Sequence, residues 1–295
     1  MKHIFKNLVL DEERALYNQN DIKLINIKFD GPADGESALK ECKNIDINET
    51  YFNLRYPIWH VDGCQINNSI MTPNCRAAIW YSNYIKINKS ELNGIKALRE
   101  CNNVEIFKTK IDSAEFGWKS SNIQLTNTKI NGEYLFLNSN NIILDNVQLK
   151  GKYSFQYVND LIIKDSYLDT KDAFWHAKDV TVEGSVLKGE YLGWYSENLT
   201  LINCNIIGTQ PLCYCKNLRL INCRTYNCDL SFENSEVNGN IIGSIDSIKN
   251  IKDGVIEVDN VKELINSDSR YECKGKVIVK DNNWNSSYNW LLLLF

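Results

Sequence analysis

Apolar and polar residues alternate in short runs along most of the chain, and the runs recur. "NVEIFKTKI", "NIQLTNTKI", "NIILDNVQL", "DLIIKDSYL", "DVTVEGSVL" and "NLTLINCNI" are variations on one theme. Aligned on the first apolar residue, the theme falls at Ile22, Ile45, Cys64, Ile85, Val104, Ile123, Ile142, Leu161, Val180, Leu199 and Leu218, with steps of 23, 19, 21 and then 19 residues. Alternation within a run is the period of a strand and not of a helix. A second apolar column follows each run after a turn, at Leu39, Ile58, Ile79, Leu98, Gly117, Phe136, Phe155, Phe174, Gly193 and Leu212.

A unit of this length with short strands and tight corners cannot bury its apolar face alone, so the units must stack. Equivalent strands stacked in register give parallel sheets with a repeat of about 4.8 Å. The expected fold is therefore all-β, a single-stranded parallel β-helix of about 11–12 coils, right-handed because parallel crossovers almost always are. One domain is expected over residues 1–280, with regular coils over about 15–235 and divergent closing strands over about 236–280. Residues 281–295 read as a C-terminal tail.

Two polar columns fit this plan. Asn26, Asn127, Asn146, Asp165, Asn203 and Asn222 form an expected hydrogen-bonding ladder at a corner. Thr50, Ser69, Ser90, Thr109, Thr128, Val147, Ser166, Ser185, Cys204 and Cys223 form a ladder of small inward residues. Their adjacency accounts for most of the Asn-x-Ser/Thr sequences, which occur at Asn48, Asn88 and Asn198, and makes glycosylation the weaker reading.

Charge excludes some partners. With 33 basic and 37 acidic side chains the net charge is -4, which offers nucleic acid or an anionic membrane no electrostatic attraction. The start, "MKHIFKNLVLDEER", lacks a secretory pattern, and "NWLLLLF" at the end is far too short to span a bilayer. A cytoplasmic location with 10 reduced cysteines is expected.

The phrases "EERALY", "GESALKEC", "YPIWHVDGCQINNSI", "AAIWYS", "KDAFWHAKDVTVEGSVLKGEYLGWYSENLTLINC" and "GSIDSIKN" closely resemble an uncharacterised bacterial family of pectin-lyase-like right-handed β-helix proteins, classed as a domain of unknown function. The resemblance runs over about residues 10 to 265. It implies the fold and carries no established activity or catalytic residue.

Chemistry is concentrated in one column of rings. Trp59, Trp80, Trp118, Trp175 and Trp194 stand one residue beyond the inward Leu/Phe column, so alternation points them outward. The next position of the column holds His60, Tyr81, Lys119, Tyr157, His176, Tyr195 and Tyr214. Flat rings with polar tips suit a saccharide or a protein partner, so Trp59, His60, Trp80, Tyr81, Trp118, Trp175, His176, Trp194 and Tyr195 are the expected ligand-binding residues. The plain alternative covers the same rings with a loop, the C-terminal extension or a second copy in a homo-oligomer.

Lys171, Asp172, Glu190 and His176 gather around Trp175 and Trp194 in this plan and are the catalytic candidates. Resemblance to enzymes of the fold class implies a basic residue for a polysaccharide lyase, or paired carboxylates for a glycoside hydrolase. Lysines and acids in adjoining coils also pair simply as a sheet surface does.

No metal site or cofactor is expected. Cys213, Cys215, Cys223 and Cys228 lack paired CxxC spacing, and the only histidines are His3, His60 and His176. The preferred function is a binding protein presenting a Trp/His/Tyr ladder to a carbohydrate or protein partner. A lyase or hydrolase on the same face, and a self-associating structural rod, are the alternatives.

Overall fold

The computed structural model describes residues 2–30, 36–267, 269 and 271–280, and the backbone of 291–293. The chain is an all-β parallel solenoid of about 14 turns, and the described residues contain no helix. Contacts divide it into two compact units, residues 1–151 and 152–295.

The register follows the apolar columns. In the first unit Ile45 pairs with Cys64, Cys64 with Ile85, Ile85 with Val104 and Val104 with Ile123, all parallel. In the second, Leu161 pairs with Val180 and Val180 with Leu199. All of these side chains are buried. Pairing begins earlier than the sequence pattern, for His3–Lys6 already lies parallel to Ile22–Ile25 with the same 19-residue step. That turn exposes Ile4, Leu8 and Val9, which is why alternation does not reveal it.

Corners require backbone that most residues resist. Asn26, Asn127, Asn146, Asp165, Asn203 and Asn222 all have φ between 46° and 53°, the left-handed region that asparagine and aspartate tolerate best. Their amides also pair between turns, as Asn26 Nδ2 donates to Asn7 Oδ1 at 2.8 Å and Asn146 Nδ2 to Asn127 Oδ1 at 2.6 Å. A second ladder opens the long strands, where Asn141 donates to Asn122 at 2.7 Å and Asn217 to Asn198 at 2.8 Å. It too has positive φ, so the fold asks for asparagine at two corners of each turn.

The small inward ladder answers a different need. Buried N–H groups beside the corner lack a strand partner, and hydroxyls supply one. Ser69 Oγ accepts from the Thr50 N–H at 3.1 Å and donates to Asn67 O at 2.8 Å, and Ser90 repeats the arrangement for Ser69. Cysteines substitute for serine in some of these places, as at Cys204 and Cys223, and the chain has 10 in all. Nine of them are buried, all are free thiols, and Cys101 Sγ donates to Arg99 O at 3.2 Å. Burial pushes the thiols up, to about 11 at Cys42 and Cys75 and about 12 at Cys101, so they stay protonated and unreactive.

Phenylalanines fill the core between the sheets. Phe29 and Phe52 stack at 5.0 Å, and Phe155 and Phe174 at 5.3 Å. The glycines in this column make room for the following turn: a Cβ on Gly117 would lie 2.6 Å from the Phe136 ring, and one on Gly193 2.7 Å from Leu212. Phe116 and Leu192 then fill the core one residue earlier.

After Glu236 the step shortens. Strands Glu236–Lys249 and Asp253–Ile265 run through the former corners, with Val237 opposite Gly254. Lys276–Val279 adds to Val255–Val258, and Leu291–Leu293 lies antiparallel on Val277–Val279. The rest of the expected tail, 281–290 and 294–295, lies outside the described residues.

Candidate functional site

The ring column sits on corners whose backbone breaks alternation. Around Trp175, positive φ recurs at Asp172, Phe174 and His176, and around Trp194 at Tyr191, Gly193 and Tyr195. Phe174 therefore points into the core while both following residues stay on the outside. The two do not share one exposure. The tryptophans are half-buried, whereas His60, Tyr81, Tyr157, His176 and Tyr195 are exposed.

The expected outward tryptophans are all half-buried, and three of them are tied down by their indole N–H. Trp175 Nε1–H donates to Tyr191 O at 3.1 Å and Trp194 Nε1–H to Gln210 O at 2.8 Å, so each indole lies across the corner of the next turn. Trp118 does the same toward Tyr134 O. Simple alternation does not anticipate this bond.

In the first unit the indole faces are occupied. Trp59 and Trp80 stack at 5.7 Å, with Lys40 over the outer face of the pair 4.5 Å from the Trp59 ring. Arg99 lies 5.8 Å from Trp80 and 5.5 Å from Trp118, giving a cation–π column. Tyr56 leans on both Trp59 and Trp80. The Nε1 atoms of these two indoles are the buried side-chain polar atoms without a hydrogen-bond partner among the described residues. His60 and Tyr81 stack beside them at 5.2 Å.

In the second unit four rings form an unbroken ladder. Tyr157, His176, Tyr195 and Tyr214 stack at 5.0, 5.0 and 4.8 Å, with planes within 10° of parallel. Trp175 and Trp194 stack at 5.7 Å alongside. Stacking spends the ring faces on one another, so the ladder offers its edges and polar tips, one per turn. Burial pushes the phenol of Tyr214, at the ladder's end, up from its ordinary value.

A hollow of about 370 Å³ opens beside His176, Tyr195 and Tyr214. Tyr271 forms part of its wall, and Lys178, Glu197, Lys216 and Lys252 bring charge to it. Tyr214 stands in the ring column and is legible from spacing. Tyr271 and Lys252 come from the aperiodic C-terminal strands and connections, where no spacing signal exists to place them.

The catalytic candidates divide into two groups. Lys171 Nζ lies 2.8 Å from Glu190 Oε2 and 5.1 Å from the centre of the Tyr191 ring, with Asp172 next in the chain. His176 belongs to the ring ladder, between Tyr157 and Tyr195. Hydrogen bonding to Glu190 raises the affinity of Lys171 for its proton, which suits an ion pair and not a general base. Asp172 is buried, and desolvation pushes its carboxyl up, with Glu190 adding to the effect and Lys171 opposing it. Similar pairs join Lys96 to Glu115 and Lys188 to Asp169.

Among the described residues no three His, Cys, Asp or Glu side chains gather as a metal site, and no helix is long and apolar enough to cross a membrane.

Comparison with solved structures finds the surface adhesin PfbA of Streptococcus pneumoniae at 10% identity and TM-score 0.38, covering 100% of this chain and 90% of that one. A tailspike of E. coli bacteriophage HK620, solved with a hexasaccharide, is similar at 7% identity and TM-score 0.38, covering 88% and 57%. The exopolygalacturonase of Thermotoga maritima is similar at 9% identity and TM-score 0.31, covering 100% and 85%. No curated protein matches the sequence. A family model spans the stacked turns from His3 to Val279, and by that match the chain belongs to the family described as Protein of unknown function (DUF3737).

Proposed function

We propose that this is a binding protein whose second unit takes a saccharide at the ring ladder and the hollow beside it. The observation that carries the reading is the Tyr157, His176, Tyr195, Tyr214 stack, which ends in that hollow. Hydroxyl and imidazole tips spaced by one turn, about 4.8 Å, meet successive polar groups of an extended chain, while Tyr271 adds apolar ring surface. His60 and Tyr81 offer a shorter version of the same edge in the first unit.

A glycan array, followed by titration of the best oligosaccharide against tryptophan emission, is the test. Tyr195→Ala is expected to weaken binding about tenfold or more, since it removes the middle of the stack and a contact to the hollow. An array without a reproducible hit, or a hit indifferent to Tyr195→Ala, rejects the reading. In that case a protein partner on the same rings becomes the better account.

A hydrolytic reading has one specific support, the buried Asp172 beside Glu190, whose carboxyl desolvation pushes up from its ordinary value. It requires that the bound saccharide be cut, and that Asp172→Asn stop the cutting without loss of binding.

A further inference from the structure

We infer that the saccharide taken by this hollow carries a negatively charged substituent, a carboxylate or a sulfate, held by Lys216. The inference rests on the saccharide reading above and adds the chemistry of the ligand. Three lysines line the hollow, Lys178, Lys216 and Lys252, on a chain whose net charge is -4.

The acids nearby pair with two of the three. Lys178, Glu197 and Lys216 stand opposite one another in successive turns. Glu197 pairs with Lys178 at 3.6 Å, and Glu236 takes Lys252 at 2.6 Å. Glu197 and Glu236 thus take Lys178 and Lys252, with Asp253 also acting on Lys252, and Lys216 is the one of the three lysines without an ion pair among the described residues. It is exposed, on the same hollow as Tyr214 and Tyr271, so an anion on a bound sugar meets an ammonium and an aromatic wall together. A neutral sugar leaves this charge unused.

Binding is measured for a uronate-bearing tetrasaccharide, a sulfated one and a neutral one of the same linkage, against the parent chain, Lys216→Gln and Lys216→Glu. Because Lys216 is exposed and its strand bridge is made by the main chain, both variants are expected to melt with the parent. The charged ligands should bind more tightly than the neutral one and weaken as salt rises. They should lose roughly threefold to tenfold on Lys216→Gln and more on Lys216→Glu, with neutral binding unchanged. Whichever charged ligand shows the larger loss identifies the substituent. Equal binding of all three, indifferent to Lys216, overturns the inference and leaves the saccharide reading standing. Absence of binding to any saccharide overturns both.

Discussion

Phe174→Ala is expected to lower the stability of the protein by about 3–5 kcal/mol, as large-to-small changes at fully buried aromatic positions do. Phe174 is 1% exposed, stacks on Phe155 at 5.3 Å, and holds the turn through its N–H to Ser154 O at 3.0 Å. Neighbouring turns cannot collapse into the space, since strand spacing is fixed by the hydrogen bonds between them. A solenoid turn touches only its neighbours, so the loss is local in origin. Because native stability is itself about 5–15 kcal/mol, the effect is a large share of it. Urea unfolding followed by tryptophan emission measures it. A loss below about 1 kcal/mol contradicts the stacked core described here.

An effect at least as severe is expected at a close approach of backbone. Gly208 has φ +129°, and a Cβ there would lie 2.2 Å from the carbonyl oxygen of Gly189 in the preceding turn. Gly208→Val therefore meets both a conformation that other residues avoid and a main-chain atom that cannot rotate away. Failure to fold, or a loss exceeding about 3 kcal/mol, is the expected outcome, read from soluble yield and thermal melting. Gly243 supplies the control. It has φ +89°, and a Cβ there would meet nothing within 4 Å, so Gly243→Ala carries the conformational cost without the collision, about 1 kcal/mol. Similar melting of the two variants contradicts the close stacking of these corners.

Much of the architecture was legible in the chain. Columns such as Ile85, Val104 and Ile123 gave the strand register, because a period that repeats unchanged through stacked turns leaves only one alignment that keeps every apolar residue inside. The first turn was not legible, for an end turn covers no neighbour on one side and Ile4 and Val9 stay exposed. The candidate site was legible in part. Spacing found the ring column, but alternation assumes extended backbone, whereas φ is positive at Phe174, His176 and Tyr195, the indoles are half-buried and the smaller rings are exposed. Lys171 and Glu190 came together as in-register neighbours, whereas Tyr271 joined the hollow from beyond the last regular turn.

The central claim is that the saccharide sits at the end of the ring ladder. A crystal structure of the protein with the best array ligand tests it most directly. Density for the sugar beside Tyr195, Tyr214 and Tyr271, with its charged group near Lys216, is the predicted result. An ordered sugar elsewhere, as on the sheet face around Tyr84, Asn122 and Gln124, with the hollow left empty, contradicts it.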